Sequence, residues 1–231
     1  VPLNNQLKIA RLKVAQEKAR VLQSLAMQTS QHREPLEKNM ESLAILDLIY
    51  AKARLAKTMN AVKCPMNRQS RMQLKEARNP ELTLDGETVI PNTIEWEEST
   101  KVVIISGPNT GGKTVTLKTL GLLSLMARSG LFLPVKKNSH IPFFPEIYSD
   151  IGDDQNIQLK LSTFSGHMEK IIRIIDNATS GSLVLLDELG IATDPNEGAA
   201  LAESILLELK RKNVMTLVST HYFSLKILAQ T

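Results

Sequence analysis

The stretch from Gly107 to Thr114, which reads GPNTGGKT, constrains the fold of this chain more than any other feature. It matches the phosphate-binding loop (P-loop) pattern of Gly, four residues, Gly, Lys and Ser or Thr. The apolar, β-prone run from Val103 to Ser106 precedes it, and VTLKTLGLLSLMARSG, with helical periodicity, follows it. The sequence therefore predicts a strand, a phosphate-binding loop and a helix in direct succession.

Each residue type in this loop has a physical reason. Glycines allow the backbone to curl so that several N–H groups point at anionic oxygens, and the following helix directs its positive end there. Lys113 would supply a charge to the β- and γ-phosphates, and the Thr114 hydroxyl would bind Mg²⁺. No Asn-Lys-x-Asp guanine motif is present, which favours ATP. The predicted nucleotide-binding residues here are Gly107, Pro108, Asn109, Thr110, Gly111, Gly112, Lys113, Thr114 and Val115.

A second acidic site follows another apolar run. The residues from Leu183 to Leu186 predict a buried strand that ends at Asp187 and Glu188. Asp187 would hold the metal, and Glu188 would orient and activate the attacking water. A helix-capping acidic pair is the structural alternative. His221, after the strand-like VST, would sense the γ-phosphate, although a strand-end histidine is often only hydrogen-bonded.

Composition and charge limit the class of protein. The 231 residues are 42% hydrophobic, so a core can form, and 4% aromatic, which disfavours a stacking surface for single-stranded nucleic acid. The net charge of +4 permits a nucleic-acid partner without requiring one. A single cysteine, Cys64, favours a reducing, cytoplasmic location, and neither a membrane-spanning run nor a signal peptide is recognisable. The end in SLKILAQT predicts a fragment truncated inside a helix.

Three regions are predicted along the chain. Residues 1–62 show helical spacing twice, with a break at TSQHREP where Pro35 would lie in the first turn of the second helix; this predicts an all-α helical hairpin. Residues 63–100 form a connector with short strands, and residues 101–231 form an α/β P-loop domain with a mainly parallel sheet flanked by helices. The exposed charges predict a solvated helix face or, alternatively, a phosphate-contacting stripe: Lys8, Arg11, Lys13, Lys18 and Arg20.

Taken in order, the motifs resemble those of one known family. GPNTGGKT, DIGDDQNI, LSTFSGHM, LVLLDELG, TDPNEGAALA and STHY are similar to the ATPase domain of the MutS family, whose members are ABC-type ATPases. SLAILDLIYAKARLAKTMNAVKCP resembles the lever helix that enters this domain. The form of LSTFSGHM and of TDPNEGAALA resembles the second bacterial branch, MutS-two, rather than the mismatch-repair branch.

The resemblance implies a function for the whole protein. It implies a homodimer that closes through its ATPase faces around ATP and Mg²⁺, with no membrane association. It implies action on branched DNA in suppressing homologous recombination, or recognition of stalled ribosomes and their rRNA. Members of this branch typically carry a Smr endonuclease domain, which would lie beyond Thr231.

The resemblance also implies roles for individual residues. Asn109 corresponds to the loop residue near the γ-phosphate, Gln155 to the Q-loop and Asp194 to the D-loop at the dimer interface. Ser162 corresponds to the signature serine that acts in trans on the partner's nucleotide; an ordinary helix N-cap at Ser162 or Thr163 is the alternative, and the two roles are compatible. Two departures affect the D-loop and the adenine side of the site: Ala192 replaces a glycine and Asn79 a histidine.

Three other interpretations are open. A mismatch-repair MutS protein would carry a mismatch-reading domain upstream. A nucleotide-binding scaffold without effective hydrolysis would be consistent with Ala192 and Asn79, but not with an intact Lys113, Asp187 and Glu188. An ABC ATPase of the SMC type would have a Ser-Gly-Gly signature where this chain has Ser-Thr-Phe.

Overall fold

The computed structural model describes residues 2–108, 111–152, 160–190, 194–222 and 225, with the backbone alone for residues 160–164. It divides into two compact units, residues 1–53 and 54–231. No helix in the described part of the chain is long and apolar enough to cross a membrane.

The N-terminal part consists of two long helices. Helix α1 (Pro2–Gln31) and helix α2 (Arg33–Thr58) are separated by His32 alone, and Pro35 lies in the first turn of α2, as predicted. No residue of either helix is buried, and the ion pair between Arg20 and Glu17 joins neighbouring turns of α1 at 2.6 Å. Both predicted helices are thus present, while their pairing into a hairpin stays a prediction.

The second unit alternates strands and helices. Its elements are β1 (Met66–Asn67), β2 (Met72–Ala77), α3 (Pro80–Leu84), β3 (Asn92–Trp96), β4 (Val102–Ser106), α4 (Lys113–Arg128), β5 (Ile141–Pro142), β6 (Ile147–Asp150), α5 (Lys160–Asn177), β7 (Leu183–Leu186), α6 (Pro195–Arg211) and β8 (Met215–Thr220). The helices and strands predicted around the P-loop and the acidic pair are confirmed.

The central sheet is parallel and has the strand order β4-β8-β7-β6. Ser106 at the end of β4 lies opposite Thr220 of β8, and Leu186 at the end of β7 lies opposite Val218 of β8. Because parallel strands end at the same sheet edge, the P-loop after β4 and the acidic pair after β7 are brought to that edge on either side of β8. This confirms the predicted mainly parallel sheet flanked by helices.

Two apolar layers cover the faces of this sheet. Leu183 and Leu185 of β7 belong to one buried cluster with α4, while Val184 and Leu186 belong to the other with α5 and α6. A strand buried on both faces reads as an uninterrupted apolar run, which is why LVLL shows no alternation with polar residues. The outcome is a helix–sheet–helix sandwich whose polar chemistry is confined to the strand ends.

The connector is tied to this sandwich by specific polar contacts. The antiparallel pair β2–β3 buries Trp96, whose Nε1 donates to the Ser70 carbonyl at 2.8 Å. Asn79 is buried and caps α3, because its Oδ1 accepts from Leu82 N at 3.2 Å, while its Nδ2 donates to Thr119 Oγ1 of α4 at 3.1 Å. Asn79 therefore has a structural role in joining α3 to α4; a role near adenine stays a prediction.

Candidate functional site

The P-loop leads from the end of β4 into the first turn of α4. Gly112, the residue before the helix, has φ 74°, a left-handed conformation that glycine adopts without the strain that a Cβ would cause. A Cβ placed on Gly107 or on Gly112 would meet no atom within 4 Å. There is thus open space beside both glycines, and α4 begins directly after Gly112, so the positive end of this helix lies next to the loop, as in sites that bind phosphate.

Lys113 is the first residue of α4 and is only 5% exposed. Its Nζ donates to the carbonyl oxygens of Gly107, at 2.8 Å, and of Pro108, at 3.0 Å. The N–H of Gly111 also donates to the Pro108 carbonyl, at 3.0 Å. The ammonium group is thus held across the mouth of its own loop, where it contributes a buried positive charge that favours a bound anion.

The acidic pair lies in a tight turn, residues 187–190, which we call the acidic turn. Asp187 N donates to the Asp150 carbonyl at 2.9 Å, which extends the pairing of β6 and β7 by one residue. Glu188 is exposed and has φ 51°, a left-handed conformation that costs a residue with a Cβ about 1–2 kcal/mol. Backbone strain of this kind persists only where neighbouring contacts impose it, and it concentrates at functional sites.

The end of β8 supplies those contacts. The buried Ser219 Oγ donates to Asp187 Oδ1 and accepts from Glu188 N at 2.9 Å. Two residues further on, His221 Nε2 lies 4.0 Å from Glu188 Oε1. The structure thus brings together three of the predicted site residues: Asp187, Glu188 and His221. They lie at one edge of the sheet, after the neighbouring strands β7 and β8.

Tyr222 closes the other end of the acidic turn. Its hydroxyl donates to the Gly190 carbonyl at 2.7 Å. Burial and, to a smaller extent, the negative charge of Asp194 raise the pKa of this hydroxyl, so it remains a donor at neutral pH. Asp194 caps α6, since its Oδ1 accepts from Asn196 N at 2.9 Å. The predicted D-loop aspartate is thereby fixed at the start of a helix.

The residues present fit a nucleoside triphosphate with Mg²⁺. Thr114 and Asp187 offer hydroxyl and carboxylate oxygens, which are the ligands that Mg²⁺ prefers, with phosphate oxygens and water completing its shell. Among the described residues, no group of three or more His, Cys, Asp or Glu side chains is arranged to hold a metal ion by itself. Thr114 and Asp187 would supply two oxygen ligands, so most of the shell would come from the nucleotide and water.

Several predicted site residues cannot be located in this arrangement. Asn109, Thr110 and Gln155 lie outside the described residues, as does Ala192. Val115 is exposed in the first turn of α4. Helix α5 begins at Lys160, so Ser162 is the third residue of the helix and the alternative of an N-cap at Ser162 or Thr163 is wrong. The side-chain position of Ser162 lies outside the description.

The structure also shows a polar cluster that the sequence analysis missed. Asp150, at the end of β6, is 5% exposed; its Oδ2 lies 2.7 Å from His167 Nδ1, and its Oδ1 lies 3.4 Å from Lys170 Nζ. Both partners belong to α5, so the cluster fixes this helix against the strand next to β7. The sequence does show a polar residue, Asp150, at the end of what becomes strand β6. Its partners lie 17 and 20 residues further along the chain and belong to no recognisable motif, so their contact with Asp150 could not be predicted.

The single cysteine has no part in this site. Cys64 is free and partly buried, and burial raises the pKa of its thiol to about 11. The thiol is therefore protonated at neutral pH and is a poor nucleophile.

Comparisons with the sequences of known proteins show which family this chain resembles. The family model MutS domain V matches residues 103–231. The chain is 48% identical over 226 residues to an endonuclease MutS2 of Geobacillus sp. (strain WCH70), covering 98% of this chain and 29% of that relative. It is also 48% identical over 226 residues to a putative endonuclease MutS2 of Bacillus subtilis (strain 168), covering 98% and 28%. An endonuclease MutS2 of Lachnospira eligens is 46% identical over 229 residues, covering 99% and 29%.

These matches extend over nearly the whole of this chain but over only part of each relative. The chain spans less than a third of the length of these curated relatives. All three relatives carry the name MutS2. This is the branch that the motifs LSTFSGHM and TDPNEGAALA resemble.

The acidic turn predicts an unequal response of two glycines to the same substitution. Gly190 has φ 89°, and an added Cβ would lie 2.6 Å from the Gly198 carbonyl oxygen; Gly86 has φ 77° and no atom within 4 Å. We expect Gly86→Ala to lower the free energy of unfolding by about 1 kcal/mol through backbone strain alone. We expect Gly190→Ala to lower it by about 3 kcal/mol or more, because a backbone atom must also move. Urea denaturation measures both, and equal losses would contradict the close packing at Gly190.

Proposed function

The chain belongs to the MutS family, and from that premise we propose that it binds and hydrolyses ATP as the ATPase part of a MutS-two-type protein. One observation carries the proposal. The glycine loop with its buried Lys113 and the acidic turn with Asp187 and Glu188 lie at the same edge of a parallel sheet, one on each side of β8. A cation that binds phosphate, a carboxylate for metal and a carboxylate for water are the parts that phosphoryl transfer to water needs.

The proposed roles follow the chemistry of each side chain. Lys113 and the loop N–H groups would hold the phosphates, while Thr114 and Asp187 would hold Mg²⁺, which offsets the negative charge of the phosphate oxygens when bound. Glu188 would accept a proton from the attacking water, and His221, 4.0 Å from its carboxylate, would contact the far end of the nucleotide. Asn109 and Gln155 keep the roles that the family resemblance implies.

We further propose that the site is completed by a second copy of the chain, as in ABC-type ATPases. Ser162 in the first turn of α5 would contact the nucleotide held by the partner's P-loop. The α5 backbone supports this role, because a helix N-terminus favours a negatively charged group and Ser162 lies within its first three residues. ATP would then hold two subunits together, and hydrolysis would release them, which makes the dimer a nucleotide-controlled switch.

The proposed partner of this switch is nucleic acid in the cytoplasm. The names of the relatives describe those proteins as endonucleases, and the family resemblance adds branched DNA or the ribosome with its rRNA. We propose that α1 and α2 act as a lever that transmits the nucleotide state to the part of the protein that contacts nucleic acid. A nuclease domain would lie outside residues 1–231.

Two substitutions separate binding from hydrolysis. Lys113→Ala removes the phosphate-binding charge and should weaken binding of a fluorescent ATP analogue at least tenfold. Glu188→Gln keeps the shape but removes the base, so it should leave binding intact and lower ATP turnover by about 100-fold or more. Glu203→Gln, an exposed carboxylate of α6, is the matched control and should change neither quantity. Unaltered turnover in Glu188→Gln would remove Glu188 from its proposed role.

A mixing experiment tests whether the site spans two subunits. Ser162→Ala and Glu188→Gln should each abolish turnover alone. In a mixed dimer, one site combines both defects and the other is intact, so an equal mixture should recover about a quarter of wild-type turnover by random pairing of subunits. Recovery in a mixture, at concentrations where the wild-type protein is dimeric, supports action in trans. Absence of recovery would assign Ser162 to the site of its own subunit, and wild-type turnover in Ser162→Ala alone would remove its catalytic role.

The identity of the nucleic-acid partner can be read from the ATPase itself. A ligand that binds the ATP-bound state and the ADP-bound state with different affinity shifts the equilibrium between them. Where the change between these two states limits the turnover rate, such a ligand changes that rate. We expect either branched DNA or collided ribosomes to change the turnover rate of the complete protein, with linear duplex DNA as the control. A rate that none of them changes would argue against a nucleic-acid-coupled switch.

A further inference from the structure

We propose that Ser219 is the positioning residue that fixes both carboxylates of the acidic turn, Asp187 for the metal and Glu188 for water. The inference rests on the proposed function, since it assigns a further residue to the same site. The P-loop pattern does not require a hydroxyl at this place, and Ser219 has no role in any of the motifs described above.

The geometry is that of one side chain with two simultaneous hydrogen bonds. Ser219 is 0% exposed in β8, the strand between β4 and β7. Its Oγ donates to Asp187 Oδ1 and accepts from Glu188 N at 2.9 Å. Its carbonyl accepts a third bond from Leu189 N at 3.3 Å. A buried hydroxyl used as both donor and acceptor can take few other orientations, so three consecutive residues of the acidic turn share one anchor.

The bond to Glu188 explains an otherwise unfavourable backbone. Glu188 has φ 51°, which a residue with a Cβ adopts only when something holds it there. Ser219 Oγ accepts the N–H of Glu188 in this conformation. Without the acceptor, we expect the acidic turn to relax toward an ordinary conformation, and the Glu188 carboxylate would leave the side of the sheet edge where His221 lies 4.0 Å away.

The bond to Asp187 sets the direction of the proposed metal ligand. A donor at Oδ1 fixes the rotation of the carboxylate and leaves Oδ2 for the ion. Groups that hold a ligand in place in this way commonly change metal affinity or activity by 10- to 100-fold when they are removed. Ser219 thus links the orientation of the metal ligand to that of the water-activating residue through a single oxygen.

The strand offers a matched control. Thr216 also belongs to β8 and is 0% exposed, but its Oγ1 has no hydrogen-bond partner within the part of the chain that the structure describes. Thr216→Val therefore removes a buried hydroxyl from the same strand without touching the acidic turn. A loss that follows from disturbing β8 in general would be shared by both substitutions.

The experiment measures binding and turnover in the complete protein. A fluorescent ATP analogue is titrated with Mg²⁺ or with EDTA, and ATP turnover is measured at saturating nucleotide. For Ser219→Ala we expect unchanged binding in EDTA, a Mg²⁺ requirement raised at least tenfold and kcat lowered at least tenfold. Ser219→Cys keeps the branching of the side chain but places a larger sulfur, which is a weak donor and acceptor, at the Oγ position, and it should show the same losses. Ser219→Thr keeps the hydroxyl and should restore most of both, while Thr216→Val should match the wild-type protein.

Each outcome decides between the proposals. Wild-type Mg²⁺ dependence and kcat in Ser219→Ala and Ser219→Cys would overturn the role of Ser219 while leaving the ATPase proposal standing. Equal losses in Thr216→Val would also overturn it, in favour of general damage to β8. A wild-type protein that binds no ATP analogue in either buffer would overturn the proposed function, and the inference with it. Should Ser219→Ala not fold, Ser219→Cys and Ser219→Thr, which both enlarge the side chain but differ in whether the hydroxyl is kept, decide the question by their difference.

Discussion

All six residues of β8 are buried, so its backbone polar groups must find partners on both sides within the protein. Strands β4 and β7 supply those partners in parallel register. Because neighbouring strands are about 4.8 Å apart, this pairing sets the ends of β4 and β7 roughly 10 Å from each other. That separation is comparable to the length of a triphosphate chain. The rest of the site follows from this one buried strand.

The charges at this edge are held by neutral groups close by in the chain or across one strand. Lys113 donates to two carbonyls of its own loop, and Asp187 accepts from Ser219. Anchoring by carbonyl and hydroxyl dipoles holds each of these two side chains in place, and these dipoles carry no net charge that would cancel the field that each side chain offers to a ligand.

Much of this could be predicted from the sequence, because the informative residues are contiguous. GPNTGGKT directly follows the end of β4, and LVLLDE contains the end of β7. Each stretch holds its functional residues within eight positions, so the local pattern indicates both the strand end and the chemistry. Ser219, Tyr222 and the cluster of Asp150 with His167 could not be predicted, because their partners come from other elements and depend on strand order. A cap at Ser162 would start the helix at residue 163, but α5 begins three residues earlier, at Lys160. Capping propensity is only a local preference and does not fix a helix start by itself.

The contacts between the ends of β7 and β8 give the proposed switch a physical form. Ser219 holds the start of the acidic turn and Tyr222 holds its end at Gly190, where no side chain fits against Gly198. His221 lies between these two anchors. A change in its contacts therefore acts on a turn that is held at both ends, because either end moves only when a part-buried hydrogen bond breaks. Such an element has few allowed arrangements, and closely packed elements of this kind convert a small shift into a change between discrete states. Asp194, four residues after Gly190 in the chain, is fixed as the cap of α6, and in the proposed dimer it is the residue of this region that we expect at the interface.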